Sequence, residues 1–260
     1  MKFYTSVEQA GDTILVRGYN EGRPYQDRVK FNPTLFLPSP VKSEWKTLDG
    51  KYVRPVKQGT IRDAKQFVQD HKDIPDFDIC GQTRYVNQYI YEQYPDESMS
   101  YDMGDIRVFT LDIETGAENG FPDIESADQE ILLISIKDSN TNVISVFGTK
   151  PYDHNTKDGV DGDVKYMHFS SETAMLNAFV YWWESNYPDV ITGWNVQLFD
   201  MPYIIRRINR VVGEKESRLI SPWKNVYCRE IYIKGRRQIA YDISGIAVLD
   251  YLELYKKFTY

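Results

Sequence analysis

Apolar and polar positions alternate strictly along "RVFTLDIETG", residues 107–116: Phe109, Leu111 and Ile113 fall on one parity, Thr110, Asp112 and Glu114 on the other. A period of two predicts a strand with one apolar and one polar face. "EILLISIKD" and "NVISVFGT" are similar short runs separated by polar turns, so an antiparallel meander is expected. The period then changes. In "SSETAMLNAFVYWWESN", Met175, Phe179 and Trp182 or Trp183 form a helical stripe behind Ser171 or Ser170 as cap. "PDVITGWN" reads as a strand, "DMPYIIRRINRVV" as a helix, and "GIAVLDYLELYKKF" as a strand running into a helix. Meander strands followed by strands alternating with helices describe a mixed sheet with helices packed against it.

The first hundred residues carry a different pattern. "DTILVRGYNEGRPYQDRVKFNPTLFL" offers two extended runs around a turn rich in Asn, Gly and Pro, and "KTLDGKYVRPV" contains the Asp-Gly pair that tight hairpins favour. "TIRDAKQFVQDHK" places Ile61, Ala64, Phe67 and Val68 at helical spacing behind Thr60. A small α+β domain over residues 1–104 is therefore expected, ending in the polar, aperiodic "PDESMSYDMGD" of residues 95–105, with a second domain over 105–260. "TKPYDHNTKDGVDGD" reads as a polar surface loop.

At 260 residues with 42% apolar and 14% aromatic content, the chain has the composition of a globular protein. Its two cysteines, Cys80 and Cys228, exclude a disulfide framework or a zinc cluster. No apolar run reaches the length of a signal peptide or a bilayer span, so a soluble cytoplasmic protein with no membrane partner is expected. The net charge of -7 argues against nonspecific coating of nucleic acid. Residues 201–260, however, hold 12 Lys and Arg against 6 Asp and Glu, which leaves 19 against 32 for the rest and points to a basic surface near the carboxyl end.

Charge also matters inside the first strand. Asp112 and Glu114 share a face, and neighbouring carboxylates in an apolar setting repel and lose hydration unless a cation lies between them. Asp200, in "GWNVQLFDMPY", reads equally as a helix N-cap and as a third ligand near a strand end, where α/β folds gather functional groups.

With these residues in hand, "FTLDIET" resembles the first exonuclease motif of family B DNA polymerases, and "TGWNVQLFDMPYI" the second. The opening "MKFYTSVEQAGD" and "AVLDYLELYKKF" are similar to the replicative polymerases of T-even-type bacteriophages and their relatives, so the resemblance covers essentially the whole chain. It implies an α/β, ribonuclease H-like 3′–5′ exonuclease domain, preceded by the small α+β amino-terminal domain. It further implies that Asp112, Glu114 and Asp200 are catalytic and hold two divalent ions, Mg²⁺ or Mn²⁺, which suit hard oxygen ligands. Asn195, Phe121 and Phe199 are implied to contact the single strand, aromatic faces being sequence-blind stacking platforms. Ordinary core packing is the alternative for both phenylalanines.

"VYCREIYIKGRRQIAYDIS" reads as a hairpin with Lys234, Gly235, Arg236 and Arg237 at its tip, a cationic end able to hold DNA phosphates, or a solvated turn. The family's fourth carboxylate comes from a Tyr-x-x-x-Asp segment beyond "LDYLELYKKF", which these 260 residues do not include; Asp250 is the alternative fourth acid. The expected function is thus the amino-terminal and proofreading part of a phage replicative polymerase, acting in the host cytoplasm on single-stranded or primer-template DNA. It would be completed by a carboxyl-terminal polymerase portion from the same gene or a separate chain, with replication accessory proteins as further partners. A noncatalytic nucleic-acid or partner-binding module of a split polymerase is the alternative, and a ribonuclease H-like nuclease unrelated to polymerases a third.

Overall fold

The computed structural model describes residues 2–81, 84–94, 99–118, 120–152 and 162–259, which fall into two compact units, Met1–Tyr101 and Asp102–Tyr260. In the first unit, β1 (Lys2–Ala10), β2 (Thr13–Asn20) and β3 (Arg23–Lys30) form an antiparallel sheet in that order. Glu21 and Gly22 connect β2 to β3 with φ of 52° and 73°, the left-handed pair that a two-residue hairpin turn requires. A second sheet runs in the order β4 (Thr34–Pro38), β6 (Tyr52–Lys57), β5 (Trp45–Lys46). Helix α1 (Ile61–His71) starts at Thr60, which forms a reciprocal capping box with Asp63. Helix α2 (Tyr85–Gln93) has no side-chain cap, and Tyr85 and Tyr89 bury it against Ile14, Leu35 and Ile61.

The second unit is built on a six-stranded sheet in the order β10-β9-β8-β7-β11-β14. Strands β7 (Val108–Thr115), β8 (Ile131–Asp138) and β9 (Val143–Gly148) form the antiparallel meander expected from their alternation. The polar loop expected over residues 149–163 includes 153–161, which lie outside the described residues; at its end β10 (Asp163–His168) adds to β9 in parallel. After α3 (Glu172–Glu184), capped by Ser171, β11 (Val190–Gly193) lies parallel to β7. Helix α4 (Asp200–Val211) and the short α5 (Glu214–Ser217) follow. The hairpin β12 (Val226–Ile233) and β13 (Arg236–Ile243) precedes β14 (Ala247–Asp250), which pairs in parallel with β11 and runs into α6 (Tyr251–Phe258).

The core between sheet and helices is built from apolar side chains. Phe109, Leu111 and Ile113 from β7 meet Met175, Phe179 and Trp183 from α3 and Tyr203, Ile204 and Ile208 from α4. Among the described residues, an ion pair is buried within it: Arg207 on α4 grips Glu172 on α3 through Nε–Oε1 at 2.8 Å and Nη2–Oε2 at 2.7 Å. Glu172 Oε1 also accepts from the Ile131 amide at 2.7 Å, and Arg207 Nη1 donates to the carbonyls of Ala127 and Asp128. Every polar atom of the pair therefore finds a partner, the condition under which buried charge is tolerated. Arg207→Met, which strands Glu172, should lower the unfolding free energy by about 3–5 kcal/mol. Arg207→Met/Glu172→Gln, which keeps an acceptor for Ile131, should recover at least half of that loss in the same denaturant titration.

Candidate active site

Burial along β7 alternates residue by residue, so Asp112 and Glu114 share the exposed face while Phe109, Leu111 and Ile113 face the core. The opposing acid arrives from α4. Asp200 is only 3% exposed, and its Oδ1 accepts a hydrogen bond from the Ile113 amide at 3.1 Å. This corrects the N-cap alternative: Phe199 holds the cap position, no side chain caps the helix, and Asp200 is the first helical residue with its carboxylate spent on the neighbouring strand. Burial, reinforced by the Asp112 charge, pushes the Asp200 carboxyl up to about 7. Partial burial also raises Asp112.

The loop between β11 and α4 is locked from β14. Asp250 Oδ1 accepts from the amides of Asn195 at 3.0 Å and Leu252 at 2.9 Å, and Oδ2 from the amide of Gln197 at 3.0 Å. Asp250 is therefore a loop clamp and the N-cap of α6, with its oxygens engaged by backbone, rather than a free fourth acid. Asn195 adopts a left-handed φ of 62°, and its carbonyl accepts from the amides of Leu198 and Phe199, which turns the chain into α4. Gly193 must be glycine, because a Cβ there would stand 2.5 Å from the Leu111 carbonyl oxygen.

Beside this loop lies a groove of about 700 Å³ lined by Phe121, Asn195, Phe199, Ile233, Lys234 and Arg236 among others. Phe121 is 83% exposed and meets the half-buried Phe199 with ring centroids 5.4 Å apart, so the core-packing alternative fails for Phe121. The hairpin tip is corrected too. It consists of Lys234 and Gly235, both left-handed at φ 49° and 77°, while Arg236 and Arg237 are the first residues of β13. Arg237 is absent from the groove lining: its guanidinium bonds Glu230 at 2.7 Å and also Glu125, and these carboxylates hold its pKa above the usual arginine value. Five of the six expected DNA-contacting residues thus share one groove.

Glu114 is not drawn in with the other acids. Among the described residues no three His, Cys, Asp or Glu side chains stand together as a metal-holding group. The register of β7 against β8 shifts between Glu114 and Thr115, and such a bulge re-aims side chains at a strand end. Asp112 and Asp200 nevertheless present hard oxygen donors whose mutual repulsion a divalent cation would relieve, so their chemistry fits such an ion. No helix among the described residues is long and apolar enough to cross a membrane.

The family model for the DNA polymerase family B exonuclease domain matches residues 70–260. The chain belongs to this family. Domains of the family are divalent-metal dependent. Across its whole length the family B chain is 32% identical to a DNA-directed DNA polymerase of Enterobacteria phage T4 and 31% identical to that of Escherichia phage RB69, spanning 31% of each relative. A DNA polymerase catalytic subunit of Human herpesvirus 8 type P (isolate GK18) is 34% identical over 114 residues, 42% of this chain and 11% of the relative. The chain thus spans about a third of the length of the phage relatives it matches.

The raised Asp200 has a stability consequence. An unfolded chain releases that proton near the ordinary aspartate value of 3.8, whereas the folded family B domain holds it to about 7. The folded state is therefore penalised progressively as pH rises through this window and unpenalised below it. Without divalent ions, wild-type unfolding free energy should fall more steeply from about pH 5 to pH 8 than that of Asp200→Asn. The difference between the two should be about 2–3 kcal/mol in denaturant titrations.

Proposed function

We propose that the chain is the amino-terminal and proofreading part of a replicative family B DNA polymerase, removing mispaired nucleotides from the 3′ ends of DNA with Mg²⁺ or Mn²⁺. Residues 1–104 are then the amino-terminal domain and 105–260 the exonuclease domain. Its partners are single-stranded or primer-template DNA, the remaining polymerase portion, and replication accessory proteins, in the cytoplasm of the host cell. The observation that carries this reading is the approach of buried Asp200 to Asp112, which leaves two carboxylates in mutual repulsion.

In this reading Asp112, Glu114 and Asp200 hold the metal, and Glu114 reaches it by a side-chain rotation from the same strand face as Asp112. Bound divalent ions lower the pKa of water and stabilise charge on the departing 3′ oxygen. The protein supplies the positioning. Phe121, projecting from its loop, and Phe199 stack on the terminal bases; Asn195 contacts the strand beside them. Lys234 and Arg236 hold phosphates along the groove, while Arg237, tied to Glu230 and Glu125, braces the hairpin against the Phe121 loop.

A noncatalytic nucleic-acid-binding module is the second reading, favoured by the missing three-acid group among the described residues. A 5′-labelled single strand in Mn²⁺ separates the two. Stepwise shortening from the 3′ end, reduced at least about 100-fold by Asp112→Asn or Asp200→Asn, is expected for the nuclease. A strand bound but left intact, even when the remaining polymerase portion is supplied, would establish the module.

A further inference from the structure

A second pocket, of about 330 Å³, lies where the carboxyl-terminal half of α4 meets α5 and the start of β12, and it shares no lining residue with the Phe121 groove. Its volume is at the low end for small-molecule sites, which run from about 300 to 1,000 Å³. Three cations line it: Arg206, Arg218 and Lys224. Arg218 is neutralised by Glu214, Nη2 to Oε1 at 2.5 Å. Neither Arg206 nor Lys224 forms a close salt bridge among the described residues, although the Arg206 charge helps to lower the exposed Asp123 carboxyl.

Arg206 is fixed in place without being satisfied. Its Nη1 donates to the Glu125 carbonyl at 3.1 Å, while its Nε is buried with no hydrogen-bond partner. A buried donor left unpaired on a charged group is expensive and calls for an acceptor. Lys224 stands on a backbone of φ 59°, a left-handed conformation that costs a non-glycine residue, held by its amide bond to the Ser221 carbonyl at 2.9 Å. A lysine kept where glycine would be cheaper points to the side chain as the reason. Tyr241 and the exposed Tyr227 complete the wall. Burial raises the Tyr241 phenol against the pull of the Arg206 charge, and its hydroxyl is shared between Arg206 and Cys228.

We propose that this pocket binds the phosphate group of a nucleotide, with Arg206 and Lys224 as its charged ligands and Tyr227 beside the base. A guanidinium held in place and a neighbouring ammonium beside a small polar cavity match the charge and the several acceptor oxygens of a phosphate. The phosphate belongs either to a free mononucleotide or to the backbone of a strand. Arg206 lies six residues beyond Asp200 on α4, about 9 Å along the helix, so the pocket is separate from the acids. Its existence does not depend on whether those acids cleave DNA.

Calorimetric titration of the 260-residue chain in EDTA, so that no nuclease step intrudes, tests the assignment with inorganic phosphate, thymidine monophosphate and a short oligothymidylate. Saturable phosphate binding should weaken about tenfold in Arg206→Gln and in Lys224→Gln. It should be unchanged in Lys165→Gln, which removes an exposed charge on β10. Should Arg206→Gln unfold the loop it supports, Lys224→Gln, on an exposed turn, still decides. A larger loss in Lys224→Gln for the monophosphate identifies a mononucleotide site, and a larger loss for the oligothymidylate, with steep salt dependence, a strand contact. No saturable binding, equal weakening by Lys165→Gln, or unaltered affinity in both pocket variants would overturn the proposal.

Discussion

Two carboxylates are held together by the rest of the fold against their own repulsion. Asp200 enters the protein interior at the first turn of α4 and gains backbone hydrogen bonds from Ile113 and its own amide in return for lost hydration and the nearby charge of Asp112. Such an arrangement persists only where the surrounding structure over-determines it. Here the compensation is distributed along the helix: Tyr203, Ile204 and Ile208 are fully buried, and Arg207 closes the ion pair with Glu172.

The same helix organises the recognition surface. Successive α4 side chains take the carbonyls of one loop: Arg206 bonds that of Glu125, Arg210 that of Ser126, Arg207 those of Ala127 and Asp128, and Tyr203 that of Gln129. That loop follows Phe121, and the Glu125 side chain reaches Arg237 on the hairpin. Acid, aromatic and hairpin are thus referred to a single rigid element, which is how a site is kept in register. The Glu125–Arg237 and Glu230–Arg237 pairs are exposed and contribute little stability, so they act as braces that salt can release.

Much of this was legible in the sequence because strong local signals agreed with the tertiary outcome. The β7 alternation, the Ser171 cap, the α3 stripe and the hairpin each carry a period or a turn residue whose physics is local. What escaped was set by distant partners. Strand β10 is a short, polar edge strand defined by its pairing with β9, and α2, rich in Tyr and Gln and lacking a cap, is held by packing. Strand β1 owes its form to a residue-by-residue ladder with β2. The site shows the same division. Asp112 and Glu114 on one face followed from strand geometry, but the Asp200–Ile113 bond, the Asp250 clamp and the removal of Arg237 from the groove by two carboxylates rest on contacts between residues far apart in sequence.

Membership of the family B exonuclease domains gives this constrained pair its meaning: a cation is the missing partner that turns repulsion into attraction. Site-resolved carbon NMR of the Asp200 carboxyl, titrated with and without saturating Mg²⁺, tests that claim most directly. An apparent pKa of about 7 without the ion, falling by more than about one unit when Mg²⁺ is added, is the predicted result. An Asp200 that titrates in the ordinary carboxylate range without metal, or that is indifferent to Mg²⁺, would contradict it.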